Sequence, residues 1–372
     1  MTELLVVAGE ASGDRAAAAV AARLAGVRVF GLGGAALARA GVELVADFRG
    51  MTALGFGETA QRSLQIARAW RRVVRAARAR RPDAALLVDY AEFNMLLAAR
   101  LHAAGIPVVL YGAPQVWAWR PGRMRRLRVS VDRMAVVLPF EESMWRSAGV
   151  DARYVGHPAL EPVVADRLAS RRALGIPERA TALGILPGSR PHEVRRLLPR
   201  MIEAWQLLAQ RRPGLEARTV VAPSLDPATR RRLEAACAAH GLQTFEVDPM
   251  AGAVEILSAF DVVLCASGTA SLEAALAHAP PVVTYRVGVV TSVVARALLR
   301  SPHIALPNVL LGRRAFAELV QREATAERMA VELDRALGNR SELLHACDAV
   351  AARMACDNLP SEHVARMLES WL

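Results

Sequence analysis

The sequence predicts an α/β protein of two domains, each a parallel sheet covered on both faces by helices. Three observations carry that expectation. Short runs at 4–7, 84–88, 108–111, 182–186 and 262–264 are apolar throughout rather than alternating, as a strand buried on both faces requires. Each leads through a few small or polar residues into a helical period, the rhythm of a βα array. Finally, 372 residues exceed what one hydrophobic core supports, and the rhythm restarts after a break near 160–175.

In chain order, the strand at 4–7 leads into GEASGD at 9–14, with Asp14 opening an Ala-rich helix through Leu24. The strand at 27–30 is followed by Gly31, Gly33 and Gly34, the start of a dinucleotide fingerprint whose third glycine is Ala36. This is not the first βα turn of the chain, so tight strand-to-helix packing accounts for these glycines better than a cofactor does. Residues 61–81 have the period of an amphipathic helix. Ile66, Trp70, Val73, Val74 and Ala77 form its apolar stripe, and Arg68, Arg71, Arg72, Arg75, Arg78, Arg80 and Arg81 crowd the rest. Such a helix packs on a core with a solvated Arg face. The same face suits anionic lipid headgroups, with Met51, Leu54 and Phe56 just before it as apolar contacts for acyl chains.

Strands at 84–88, 108–111 and 135–138 complete the first half. Glu10 and Asp89 each follow a strand end, where ligands of parallel sheets sit. His157, in VGHP at 155–158, reads as a structural residue. The second half repeats the pattern with strands at 182–186, 218–222, 243–247, 262–264 and 282–285. The domains are therefore expected at 1–165 and 166–340, with a helical tail at about 341–372 interrupted by Pro360.

Composition narrows the function classes. There are 47 basic residues, all Arg, against 36 acidic, for a net charge of +11. That balance favours an anionic partner. The four cysteines form no C-x-x-C pair, so neither a disulfide framework nor a zinc site is expected, and a reducing cytoplasm is. The start shows no signal-peptide pattern. No apolar run is long enough to span a bilayer, so membrane contact is expected to be peripheral. His192-Glu193 opens like a zinc-protease motif, but Arg196 stands where the second His is needed. There is no G-x-S-x-G and no D-x-D, so a phosphate here is expected to be neutralised without a metal.

Two turns in the second half suit a phosphate. The strand at 262–264 opens through Ser267, Gly268 and Thr269 into a helix, leaving N–H groups at the positive end of its dipole. A plain strand-to-helix turn would read the same. The second turn, 186–190, places Gly188, Ser189 and Arg190 after a strand. There glycine allows close backbone approach and the guanidinium forks onto phosphate oxygens. Glu273 is expected in the first turn of its helix, favouring the dipole or accepting from ribose hydroxyls.

Two α/β halves with a nucleotide site in the second describe the GT-B glycosyltransferase architecture, two Rossmann-like domains facing a central cleft. The segments GEASGD, GLGG at 31–34, LGFGE at 54–58, VDYAEFN at 88–94, PQVWAWR at 114–120, LPFE at 138–141 and VGHP make the likeness specific. LPGSR at 186–190, ASGTASLE at 266–273 and LPNVL at 306–310 continue it. In that order, over nearly the whole chain, they resemble glycosyltransferase family 19, the lipid-A-disaccharide synthases. One departure is Ala91, where the family usually has Pro.

The resemblance implies an inverting hexosyl transfer in which UDP-2,3-diacylglucosamine and 2,3-diacylglucosamine 1-phosphate give a β-1′,6-linked disaccharide 1-phosphate and UDP. It implies that the first domain holds acceptor and catalytic groups, that the second holds the UDP-sugar, and that the tail packs back onto the first. Asp89 is the expected base, with Glu10 as second carboxylate. Gly188, Ser189, Arg190, Ser267, Gly268, Thr269, Glu273, Asn308 and Gln321 are the expected nucleotide contacts. Arg71, Arg72 and Arg75 with Met51, Leu54 and Phe56 are the expected membrane and acyl-chain face. No cofactor, metal or nucleic acid is expected. Peripheral association with an anionic inner-membrane surface is, and a homodimer stays open. The alternatives are another GT-B enzyme of UDP-N-acetylglucosamine, either a 2-epimerase or a lipid-linked sugar transferase, and a non-catalytic nucleotide- or lipid-binding protein.

Overall fold

The apolar runs of the sequence become the middle strands of two parallel sheets. The computed structural model describes residues 2–47, 59–117, 122–161, 166–247, 253–286 and 301–372. It divides into two compact units, Met1–Pro162 with Met354–Leu372, and Val163–Arg353.

The first unit contains β1 (Glu3–Ala8), β2 (Arg28–Gly33), β3 (Glu43–Asp47), β4 (Ala84–Val88), β5 (Val108–Tyr111), β6 (Arg133–Val136) and β7 (Ala152–Tyr154). Their order across the sheet is β3-β2-β1-β4-β5-β6-β7. The helices are α1 (Ala11–Ala21), α2 (Ala35–Arg39), α3 (Thr59–Arg80), α4 (Ala91–His102), α5 (Arg123–Arg128) and α6 (Pro139–Ser147). Side chains alternate between two cores. Leu5, Val7, Ala85 and Leu87 pack on one face with Ala69, Val73 and Ala77 of α3. Leu4, Val6, Leu86 and Val88 pack on the other with Ala16, Ala17 and Val20 of α1. The middle of the sheet, at Leu4–Ala8, β4 and β5, is apolar because both faces are covered.

The second unit contains β8 (Ala182–Leu186), β9 (Glu216–Val221), β10 (Gln243–Glu246), β11 (Val262–Ala266), β12 (Pro281–Tyr285) and β13 (Glu318–Val320), in the order β10-β9-β8-β11-β12-β13. Its helices are α7 (Arg167–Ala173), α8 (Pro191–Arg211), α9 (Pro227–Ala238), α10 (Ala253–Leu257), α11 (Thr269–Leu276), α12 (Leu306–Leu311), α13 (Ala326–Gly338) and α14 (Arg340–Met354). The chain ends in α15 (Pro360–Leu368). Both sheets reverse strand order once, between β1 and β4 and between β8 and β11. A parallel sheet opens a ligand crevice beyond the carboxyl ends of its strands at such a reversal.

Two local readings are corrected. Asp14 does not open α1, which begins at Ala11; it is buried and accepts from the amides of Gly34 (2.6 Å) and Ala36 (2.8 Å) at the start of α2. A carboxylate inside a first turn served a neighbouring helix, a long-range contact that spacing does not reveal. The tail rejoins the first unit from Met354 onward, not from about 341. Helix α14 is tied into the second unit, where Arg340 Nε donates to the Asp261 carbonyl (3.3 Å) and Arg353 to the carbonyl of Leu310. Pro360 starts α15, a first-turn position that needs no N–H, and Val364, Ala365, Met367 and Leu368 join the α1 side of the first core. Of the glycines that close β2, Gly33 packs against a helix as expected, since a Cβ there would fall 2.4 Å from Leu37 Cδ1 of α2, whereas Gly31 packs against a strand, where a Cβ would fall 1.7 Å from the Val6 carbonyl oxygen of β1.

Candidate active site

At the end of β4 the chain turns through Asp89 and Tyr90, both left-handed, with φ of 47° and 50°. Such backbone costs on the order of 1–3 kcal/mol per residue and persists only where its surroundings hold it. Asn94, fully buried on α4, donates from Nδ2 to the carbonyls of Val88 (3.1 Å) and Asp89 (2.7 Å). Gly9, just after β1, makes room for the Tyr90 ring, since a Cβ there would lie 2.2 Å from Tyr90 Cγ. That ring stacks on Phe93 with centroids 5.2 Å apart. Ala91 occupies the first position of α4, where proline is otherwise favoured, and the Asn94 bonds hold the turn without it.

The turn places the Asp89 carboxylate at the β1/β4 reversal. Gly112 and Gly13 flank it: a Cβ on Gly112 would fall 2.4 Å from Oδ1, and one on Gly13 3.5 Å from Oδ2. Among the described residues nothing donates a hydrogen bond to this carboxylate, so it is not a helix or turn cap. Burial, and then the negative charge of Glu10, pushes its pKa up to about 7, while part of the residue stays open to solvent. Glu10 itself is exposed at the start of α1 and makes no capping bond.

Other motif residues build the surrounding loops. Glu141 is buried, with Oε1 accepting from Trp117 Nε1 (3.0 Å) and Oε2 from the Leu138 amide (3.2 Å), and burial raises its pKa to about 7. It ties PQVWAWR to LPFE. Glu92 pairs with Arg123 at the start of α5. His157 is buried, accepts from the Ala159 amide at Nδ1 (3.0 Å), and is pushed down to about 4 by burial, which makes it a neutral structural residue.

In the second unit, both phosphate-type turns lie at the β8/β11 reversal. Gly188 has φ of 115° and lies against Glu193, whose Oε2 would be 2.4 Å from a Cβ there. Glu193 Oε2 accepts from the Ser189 amide (3.1 Å), and Oε1 lies 3.6 Å from Arg190 Nη1. The Arg190 side chain remains 56% exposed. At β11, Ser267 Oγ donates to the Ile304 carbonyl (2.9 Å), and Gly268 precedes α11 with φ of 151°. The amides of Gly268, Thr269 and Ala270 have no acceptor among the described residues, and no side chain caps α11. Gln321, half-buried with φ of 56°, follows β13 on the same edge of the sheet.

Two expectations change here. Glu273 is the fifth residue of α11, not in its first turn, because the helix starts only at Thr269; four residues on, it shares that residue's face. Asn308 is fully buried and saturated. Its Nδ2 donates to Phe316 O (2.9 Å) and Glu318 Oε1 (2.7 Å), and its Oδ1 accepts from the Ala315 and Phe316 amides (both 2.9 Å). No capacity is left for a nucleotide. Glu318 in turn accepts from the Ile304 (3.1 Å) and Ala305 (3.2 Å) amides, so Asn308 acts on Ser267 through the 304–318 loop. Asn94, Glu141, Glu193 and Glu318 were missed from sequence; each is a polar residue in or near a motif, and only its burial separates it from a solvated one.

Arg71, Arg72 and Arg75 are exposed on α3 and make no ion pair among the described residues. Met51, Leu54 and Phe56 lie outside the described residues, as do residues 118–120 of PQVWAWR. No helix among the described residues is long and apolar enough to cross a membrane.

A family model described as lipid-A-disaccharide synthetase matches residues 4–361. The chain belongs to the lipid-A-disaccharide synthase family. It is 44% identical over 338 residues to the lipid-A-disaccharide synthase of Myxococcus xanthus, covering 89% of this chain and 87% of that protein. It is 39% identical over 341 residues to that of Syntrophus aciditrophicus, covering 90% and 88%. The fold is that of GT-B proteins. MurG of Acinetobacter baumannii superposes with a TM-score of 0.57 at 16% identity, covering 100% of both chains. A UDP-GlcNAc 2-epimerase from Neisseria meningitidis, bound to UDP-GlcNAc, gives 0.61 at 12%, covering 99% and 100%. The fold alone would serve a 2-epimerase as well; membership of the synthase family decides for a disaccharide-forming hexosyltransferase.

Proposed function

We propose that the two substrates are UDP-2,3-diacylglucosamine and 2,3-diacylglucosamine 1-phosphate, and that Asp89 is the base joining them. The observation that carries this is the unpartnered Asp89 carboxylate at the β1/β4 reversal, its pKa lifted to about 7. The acceptor 6-hydroxyl attacks the donor C1 on the face opposite UDP. The new C–O bond forms as the bond to the diphosphate breaks, so an α-linked donor gives a β-linked product. A sugar hydroxyl is too weak an acid to ionise first, so Asp89 takes its proton as the bond forms. A base near neutrality suits this task. Glu10 keeps Asp89 basic through its own charge.

The departing UDP carries the developing negative charge. Arg190 and the open amides of Gly268 and Thr269 stabilise it, with Gly188 and Ser189 shaping the backbone around it. Gln321 and Glu273 are the remaining side chains for uridine, and Glu273 accepts from ribose hydroxyls. No metal enters this reading. Product analysis with both acylated precursors tests it. The wild type is expected to yield the disaccharide and UDP, and activity on non-acylated UDP-N-acetylglucosamine alone would instead mark a 2-epimerase or a different transferase.

Arg190→Ala is expected to weaken UDP binding by about tenfold or more, the contribution of a charge-assisted pair, with no loss of melting temperature. Titration calorimetry reads the affinity and a thermal scan the melting temperature, and unchanged affinity would remove Arg190 from the nucleotide site.

Acylated, anionic substrates also give the basic face a purpose. We place peripheral membrane association on α3 through Arg71, Arg72 and Arg75, joined by exposed Arg125, Arg126 and Arg128 of α5 and the 64% exposed Val129 beside them. Reversing the charge of Arg71, Arg72 and Arg75 is expected to lower retention on anionic liposomes while UDP affinity stays at the wild-type value. Retention unchanged by the triple variant would move the membrane face elsewhere.

A further inference from the structure

A second concentration of positive charge lies at the amino edge of the second sheet, opposite the phosphate-type turns. A cavity of about 230 Å³ there is lined by five arginines against two carboxylates, Asp261 and the exposed Glu178. Arg167 and Arg171 of α7 and Arg340 at the start of α14 converge onto Asp261, the residue just before β11, while Arg212 after α8 and Arg179 before β8 line the same cavity.

Much of this network is structural. Arg171 is buried; its Nη2 donates to Asp261 Oδ2 (2.9 Å), and its other nitrogens donate to the carbonyls of Ala259, Pro177, Glu178 and Ala180. Arg167 donates to Asp261 Oδ1 (2.6 Å) and to the carbonyls of Ser258 and Phe260. Arg212 pairs with Asp334 (2.5 Å). These bonds latch α7 and α8 to the sheet and the helix beside it.

The charge is not closed by them. Asp261 already accepts from Arg167, Arg171 and the Ala182 amide (2.8 Å), and Arg340 Nε lies 3.4 Å from its Oδ1. One carboxylate therefore serves three guanidiniums and has no lone pair to spare. The terminal nitrogens of Arg340 have no acceptor among the described residues, and Arg179, exposed on the rim, has no partner among them at all. Donors that are free, planar and convergent match phosphate oxygens. The cavity exceeds a water's share of about 30 Å³ several times over, enough for a phosphate or diphosphate group.

We infer that this cavity is a second anion site, separate from the nucleotide turns, that takes a phosphate-class group on Arg340 and Arg179. The source is a free phosphate or diphosphate, or the phosphomonoester headgroup of a lipid. The inference does not depend on the transfer reaction.

The test is titration calorimetry of the full chain with pyrophosphate at constant ionic strength, with and without saturating UDP. It runs beside retention on phosphatidylcholine vesicles with and without phosphatidic acid. The wild type is expected to bind pyrophosphate in the presence of UDP, with the affinity falling at least about tenfold in R179Q/R340Q. Acid-lipid retention that depends on these two arginines, without pyrophosphate binding, identifies the headgroup as the source. R179Q alone touches no other described group, so it keeps the wild-type melting temperature and loses part of the affinity. It decides the matter if the double variant unfolds. Pyrophosphate wholly displaced by UDP, or binding and retention both unchanged in the folded variants, would overturn the site. Failure of UDP to bind counts against the nucleotide reading only, since dependence on Arg179 and Arg340 is read without it.

Discussion

Asp89→Asn is expected to lower disaccharide formation by about 10²- to 10⁴-fold, the usual weight of a positioned base, while UDP affinity stays near the wild-type value. The pH dependence identifies the group. The base works only when ionised, and its pKa in the folded protein is about 7, so wild-type kcat/KM should fall tenfold per pH unit below about 7. The residual activity of the variant should lack that inflection. The acceptor phosphate also titrates near 6, but its step survives in both proteins and is subtracted by the comparison.

The same substitution carries an opposite stability effect. Asp89 is held with its folded pKa above the ordinary carboxylate value, so folding favours its protonated form. Stability is then full below about pH 4 and lost as pH rises through about 7, where the folded carboxylate is forced to ionise with little solvation. Asparagine removes that cost. At pH 8 the variant is expected to be more stable by on the order of 2 kcal/mol, allowing for the surface Asp89 keeps. The gain should vanish towards pH 4. Thermal scans at the two pH values check this. A variant that is inactive and less stable at pH 8 would mean that Asp89 holds the fold rather than the proton.

Why this residue was legible in the sequence, and others were not, has a physical explanation. A strand such as β4 is apolar at every position, so its end is unambiguous, and a carboxylate directly after it stands out. The turns after β8 and β11 stand out for the same reason: glycine and small polar residues interrupt an apolar run. β3 did not, because its composition is mixed and its burial partial. The supporting residues were invisible on different grounds. Asn94, Asp14 and Glu318 are ordinary polar residues whose roles depend on partners that folding brings to them. Asp14 bonds backbone amides at Gly34 and Ala36 across a helix and a strand. A one-dimensional pattern shows where a sheet ends, but not which distant amide a buried carboxylate will meet. It therefore favours residues that face the ligand over those that hold them in place, and Asn308 was misread for that reason.

Asn308→Ala is accordingly expected to act on stability first. It removes a side chain that is 0% exposed and makes four hydrogen bonds. The Ala315 and Phe316 amides and the Phe316 carbonyl are then left wanting partners, at about 1–3 kcal/mol for each group that water does not reach, while Glu318 Oε1 loses one donor and keeps the Ala305 amide. A net loss of about 3–5 kcal/mol is expected, or about 5–15 °C in the melting of the second unit. UDP affinity should fall too, but indirectly, because Glu318 and Ile304 then no longer position Ser267. Asn308→Asp separates this from a direct nucleotide contact. It keeps the shape but sets a second carboxylate against Glu318. Without ligand it should therefore be less stable than the alanine variant at pH 8 and recover towards pH 5, as protonation relieves the repulsion. A residue whose task was to touch uridine would show no such dependence in the unliganded protein. Unchanged melting in both variants, with a raised KM for the donor, would return Asn308 to the nucleotide site.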